Sequence, residues 1–319
     1  MSPRPRIAAL VSIYHRYAHA QHIVDRFLEG YGWNGRHHRP EMDVVSLYVD
    51  QVNAAPSEPE EDARYDLSHE RAARFPQLEL YPTIADALMR GTDTLAVDAV
   101  LLVAEHGDYP NNEKGMTLWP RYEFFKQMLA VFRATGRSAP VFNDKHLSWN
   151  WAWAKEMYDA SVELDFPFMA GSSLPVTWRV PSIEIPLDAK LNEAICVGCG
   201  WTDGGDFHGF ETIQAMVERR KGGETGVKWL EAFRGERFWT ALHEGRWSRA
   251  LFDACLCRGH MLTPARPGFN HTFPTIDEIR ALVSDPWAYQ YEHQDGLVCT
   301  MIALNGLFGG SWAFAADLA

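Results

Sequence analysis

The chain has 319 residues, 46% of them apolar and 23% charged, with a formal net charge of −12. This length and composition predict two globular domains of unequal size, each with enough apolar material for a core. The acidic balance argues against a protein that tracks nucleic-acid phosphates, which needs a basic face. No apolar run approaches the ~20 residues of a membrane helix; the stretch Val97 to Ala104 is interrupted by Asp98 and stops at Glu105.

Arg6 to Ile13 reads as a strand, and Ala20 to Tyr31 as a helix with Ile23, Val24, Phe27, Leu28 and Tyr31 at helical spacing. Met42 to Val49 is a second β-branched strand, followed by a charged, proline-containing surface loop from Val52 to Tyr65. Ser68 to Phe75 and Pro82 to Arg90 read as short helices around a strand at Leu78 to Tyr81. Val97 to Ala104 is apolar but for Asp98, in the manner of a strand buried on both faces. Tyr122 to Thr135 and Trp151 to Leu164 are helical, with strands at Pro140 to Asn143 and Phe168 to Gly171. This alternation predicts a Rossmann-type α/β domain over residues 1–175, with a doubly wound parallel sheet.

After Arg179 the pattern changes. Ile183 to Cys199 alternates like a strand, Phe210 to Arg220 is helical, and Tyr289 to Ala316 is strand-rich, which predicts a C-terminal α+β sheet domain over 176–319. The chain stops inside the last apparent strand, so either this domain is compact or a tail completes its sheet. The five cysteines include Cys196-x-x-Cys199 and Cys255-x-Cys257. The first pair lies in an apolar strand and the second is too tightly spaced for a zinc knuckle, so buried free thiols in a cytoplasmic protein are expected. The basic opening Met-Ser-Pro-Arg-Pro-Arg leads straight into a strand without a cleavage site, and no signal peptide is expected. Trp149, Trp151 and Trp153 read as packing residues, with one exposed aromatic edge left open.

Ligands of an open parallel sheet bind beyond the carboxyl ends of its strands. The residues there are functional in type: Tyr14, His15, Arg16, Tyr17 and His19 after the first strand, Asp50 and Gln51 after the second, and Glu105, His106 and Asp108 after the fourth. Asn143, Asp144, Lys145 and His146 follow the fifth, and Ser172, Ser173 and then Arg179 follow the sixth. A lysine between a carboxylate and an imidazole at a strand end can serve as a proton donor. Asp203, Asp206, His208 and Glu211 form a further cluster where a Gly-Gly turn enters a helix.

The order of these features resembles the Gfo/Idh/MocA family over most of the chain. Asp50 falls at the family's ribose-binding acid, and Asp66-Leu67-Ser68 through Ala85-Asp86-Ala87-Leu88 resembles the segment leading to its fourth strand. Asp144-Lys145-His146 falls at its Glu-Lys-Pro, and Gly204-Gly205 through His208 and Glu211 at the entry to the helix bearing its catalytic histidine. The resemblance implies Lys145 and His208, with Asp206, as catalytic groups facing one another across an interdomain cleft. It also implies NAD or NADP held by Asp50, Arg16, Tyr14, Glu105 and His106, and a sugar-like or polyol substrate held by Arg179, Ser172, Asp144 and His146. A small-molecule partner and assembly with copies of itself are expected.

The sequence departs from the family at the phosphate loop, where Ser12 to His19 contains no glycine. Bulky residues there should weaken dinucleotide docking. The alternative is a non-redox enzyme on the same scaffold, in which Glu105, His106, Asp108, Asp144, His146, Asp206 and His208 supply ligands to a divalent metal ion. A catalytically silent sensor retaining the fold is a third reading.

Overall fold

The computed structural model describes residues 3–52, 65–259 and 274–319, and the chain divides into two units, Met1–Ser172 and Ser173–Ala319. The charged loop expected between Val52 and Tyr65 lies outside the described residues.

In chain order the first unit contains β1 (Arg6–Val11), α1 (His19–Leu28), β2 (Tyr31–Trp33), β3 (Arg36–His38), β4 (Asp43–Val49), α2 (Ser68–Arg74) and β5 (Glu79–Leu80). It continues with α3 (Ile84–Met89), β6 (Ala99–Val103), α4 (Arg121–Thr135), β7 (Val141–Asp144), α5 (Trp151–Glu163) and β8 (Phe168–Gly171). Six strands pair in parallel in the order β5-β4-β1-β6-β7-β8, which is the doubly wound sheet expected. Consecutive apolar residues in β1 serve both faces at once. Ile7, Ala9 and Val11 pack with Val24 and Leu28 of α1, whereas Ala8 and Leu10 pack with Leu88 of α3 and Phe125 of α4. The winding reverses between β1 and β6, which makes the carboxyl ends of these two strands the place where a ligand fits such a sheet.

One element is corrected. The helix expected to reach Tyr31 ends at Leu28, and the chain folds back as the β2–β3 hairpin. Gly30 sits at φ +86, and a Cβ there would lie 2.4 Å from the His38 carbonyl oxygen. The turn therefore needs glycine and breaks the helical spacing that Tyr31 would have continued.

The second unit opens with a 3-10 turn at Leu174–Val176, followed by β9 (Leu191–Gly198), α6 (Gly204–Val217), β10 (Val227–Arg234) and α7 (Glu236–His243). Then come α8 (Arg249–Leu256), α9 (Ile276–Leu282), β11 (Trp287–His293), β12 (Val298–Ala303) and β13 (Ala313–Leu318). The strands form a mixed sheet, β10-β11-β12-β9-β13, in which only β12 and β9 run parallel. Ala194 and Cys196 of β9 pack with Ile213 and Val217 of α6, while Ile195 and Val197 share a core with Phe238, Phe252 and Ile279 of α7, α8 and α9. The strand expected from Ile183 begins only at Leu191, since the preceding residues are largely exposed and unpaired with the sheet. All five cysteines are free thiols, but Cys257 is exposed, which corrects the expectation that it is buried. Among the described residues no helix is long and apolar enough to cross a membrane.

Candidate active site

At the switch point, the loops after β1, β4 and β6 are laced together. Ser12 Oγ donates to the Glu105 carbonyl at 2.9 Å. The Gln51 side chain donates to Asp108 O at 3.0 Å and accepts from Asp108 N at 2.8 Å. Gly107, at φ +119, could not carry a side chain, because a Cβ would lie 2.5 Å from the Tyr109 ring and 3.0 Å from Gln51 Oε1. Asp50 stands exposed at the end of β4 and accepts from Tyr48 Oη at 2.7 Å and Tyr109 Oη at 2.8 Å.

Between these loops and β7 lies a set of acid–base groups. His19, the first residue of α1, approaches Asp144 with Nδ1 and Oδ2 2.6 Å apart. A carboxylate only accepts, so this contact fixes the His19 proton on Nδ1 and leaves Nε2 as the basic nitrogen. The His106 ring meets His19 edge-on with centroids 4.7 Å apart. Burial pushes the His106 imidazole down to about 4, aided by His19, His15 and Lys145 and opposed by Glu105. It is therefore an uncharged ring at neutral pH. Beneath it Arg121, 1% exposed, donates to Glu105, with Nη1 3.3 Å from His146 Nε2. Sequence reasoning places His19 among the functional residues after the first strand but gives it no role, and it misses Arg121 and Tyr109.

The histidine yields a pH prediction. Its folded value lies below the 6.5 of an ordinary histidine, so as the pH falls the unfolded chain binds the proton first. Its contribution is thus full above about pH 6.5 and lost on descent toward about 4. The drop in thermal unfolding midpoint over that window is expected to be smaller in His106→Asn than in the parent protein. Equal drops would show that His106 is not held uncharged by its surroundings.

Backbone conformation singles out the same edge. Eight non-glycine residues among those described have positive φ. Asn34, Asp165, Asp188 and Asp203 are types that tolerate this region, and Arg90 ends α3. The other three are Tyr17 (φ 66), His106 (φ 70) and Lys145 (φ 73), following β1, β6 and β7 respectively. Bulky residues persist in this region only where the surroundings hold them, and such outliers gather at functional sites.

Other expected site residues are placed differently. Tyr14 is corrected: it is 1% exposed and its hydroxyl donates to Asp25 at 2.6 Å, inside a network with Arg71, so its side chain supports the loop from within. Arg16 is exposed and lies over the Tyr17 ring, 4.6 Å from its centroid. Ser172 is buried directly after β8. In the second unit Arg179 pairs with Glu184 at 2.6 Å. His208 Nδ1 lies 3.0 Å from Glu211 Oε2, which orients that ring as Asp144 orients His19. Asp206, expected among the catalytic groups, is buried. Its two oxygens accept from Trp287 Nε1 at 2.6 Å and Tyr289 Oη at 2.9 Å, tying α6 to β11, while burial raises its carboxyl above the usual range.

Among the described residues, no three His, Cys, Asp or Glu side chains gather as metal ligands, so the divalent-ion alternative lacks a ligand set there. Glu105 is committed to Arg121, and Asp206 to Trp287 and Tyr289.

A doubly wound parallel sheet followed by a mixed sheet is a fold found in solved structures of other proteins. Biliverdin reductase from Synechocystis sp. PCC 6803, in complex with biliverdin and NADP+, is 12% identical, with 99% of this chain and 77% of that chain covered at a TM-score of 0.50. UDP-N-acetylglucosamine 3-dehydrogenase GnnA from Acidithiobacillus ferrooxidans is 10% identical, covering 98% and 71% at 0.51. Myo-inositol dehydrogenase from Lactobacillus casei, in complex with NAD(H) and myo-inositol, is 10% identical, covering 99% and 72% at 0.50. At these identities the likeness establishes the fold alone. No protein-family model and no curated protein matches the sequence.

Proposed function

We propose that the chain is a nicotinamide-dependent oxidoreductase acting on a sugar-like or polyol small molecule. The observation that carries this reading is the 2.6 Å His19–Asp144 pair beside Lys145, at the carboxyl edge of a sheet whose strand order suits a dinucleotide. Three solved proteins of similar fold are a reductase and two dehydrogenases, and two of them are bound to NADP+ or NAD(H).

The residues fit such a cofactor. Asp50 offers an exposed carboxylate, at the end of the strand next to β1, to ribose hydroxyls. α1 begins shortly after β1 with no acid in its first turn, so its amides and the exposed Arg16 suit a phosphate. Tyr17 keeps the left-handed turn for which glycine would ordinarily be used.

When bound, the nicotinamide supplies the hydride acceptor. His19, with its Nδ1 proton held by Asp144, takes the substrate hydroxyl proton on Nε2, and the Lys145 ammonium stabilises the oxygen as it loses that proton. Uncharged His106 donates or accepts a hydrogen bond without adding a second positive charge. Arg121 and Glu105 hold the loop that carries it. His208, oriented by Glu211, Arg179, Ser172 and His146 belong to the same proposal as further acid–base and substrate-binding groups.

The test is incubation with NAD+ or NADP+ and a panel of sugars, cyclitols and sugar acids, following reduced nicotinamide by absorbance. Hydride transfer is expected with at least one compound and is unchanged by a chelator. His19→Asn should lower the rate about 10²-fold, the size of a general-base contribution. Turnover of the panel only when a divalent ion is added, without nicotinamide reduction, would overturn the reading.

A further inference from the structure

The second unit contains a cavity of about 420 Å³, within the range of small-molecule sites. The stretch after the 3-10 turn, the middle of α6, and the segment Gly310–Phe314 leading into β13 form its walls. Trp178, Ile183, Met216 and Trp312 give it an apolar and aromatic lining. Among the described residues its charged groups are two arginines, Arg179 and Arg258, with no carboxylate on its walls.

Arg179 is neutralised by Glu184, but Arg258 is exposed and has no ion-pair partner among the described residues. In a protein of net charge −12 an unopposed arginine on the wall of a cavity suits an anion, and the indoles suit the face of a ring.

The cavity also adjoins a group named in the proposed reaction. The Trp312 ring meets His208 edge-on with centroids 5.1 Å apart, and Thr212, on the cavity wall, donates to the His208 carbonyl at 2.9 Å. Gly198 lets the indole lie against β9, since a Cβ there would be 2.3 Å from it.

We propose that this cavity of the second unit binds a sugar acid or related ring carboxylate. That binding does not depend on the oxidoreductase reading. A phosphate ester offers similar oxygens, and the two are separable by titration.

Calorimetric titration of the whole chain, without nucleotide, with D-glucuronate, D-glucose and D-glucose 6-phosphate tests the site. Glucuronate is expected to bind at least about ten-fold more tightly than glucose, as a charge-assisted contact warrants. Arg258→Gln, a change at an exposed position, should abolish that preference. Trp312→Ala should weaken glucuronate several-fold by removing the ring face that packs on it. Tighter binding of glucose 6-phosphate than of glucuronate would overturn the carboxylate in favour of a phosphate. Equal binding of glucose and glucuronate, no binding of either, or an unchanged preference in Arg258→Gln would overturn the site. Because no nucleotide is present, these results stand apart from any failure of hydride transfer.

Discussion

Lys145→Gly is expected to lower turnover by about 10²–10⁴-fold, while the turn that carries it keeps its backbone conformation. The turn holding Lys145 is fixed by the main chain. Lys145 N donates to Gly171 O at 3.0 Å and Gly171 N donates back at 2.8 Å. The buried Asn143 amide donates to the carbonyls of Asp144, Lys145 and His146. None of these contacts uses the lysine side chain. A left-handed conformation costs a residue with a Cβ about 1–2 kcal/mol, and glycine escapes that cost but loses about 0.5–1 kcal/mol more backbone entropy on folding. The two backbone terms nearly cancel, so the turn itself should survive the change and the chemistry should not. Retained turnover in the folded variant would contradict the role given to the side chain.

The second large effect is on stability. Arg121 is 1% exposed and provides the counter-charge to Glu105, whose side chain is 15% exposed. Arg121→Met leaves that carboxylate largely buried without its partner, which costs about 3–5 kcal/mol when a buried pair is broken from one side. Urea unfolding should show this as a lower midpoint at unchanged slope. Adding Glu105→Gln should recover part of the loss, because the stranded charge is gone. A double variant no more stable than Arg121→Met would mean that the two residues are not coupled.

The parallel sheet is legible in the sequence because strands buried on both faces must be apolar at consecutive positions, as Ile7 to Val11 and Val100 to Val103 are. The ends of those strands then point to Asp50, Glu105, His106 and Lys145. Other features are hidden for physical reasons. The His19–Asp144 contact joins positions 125 apart, and no local period encodes such a pairing. Tyr31 continues the helical spacing of α1, and only Gly30 marks the break. In β10 Phe233 is the only buried residue, so the strand lacks a clear apolar face, while α7 and α8 are only eight residues each. The left-handed turns at Tyr17, His106 and Lys145 fall on residue types that ordinarily avoid that conformation, and long-range contacts determine them. The missing glycines of the first loop point away from a dinucleotide, although the backbone at Tyr17 still makes the turn.

Titration of NAD+, NADH, NADP+ and NADPH into the parent protein and Asp50→Ala tests the central claim most directly. The account predicts saturable binding of at least one nucleotide in the micromolar range, weakened about ten-fold in Asp50→Ala by loss of a charge-assisted contact to ribose. If none of the four binds the parent protein even at millimolar concentration, the chain is not a nicotinamide-dependent oxidoreductase.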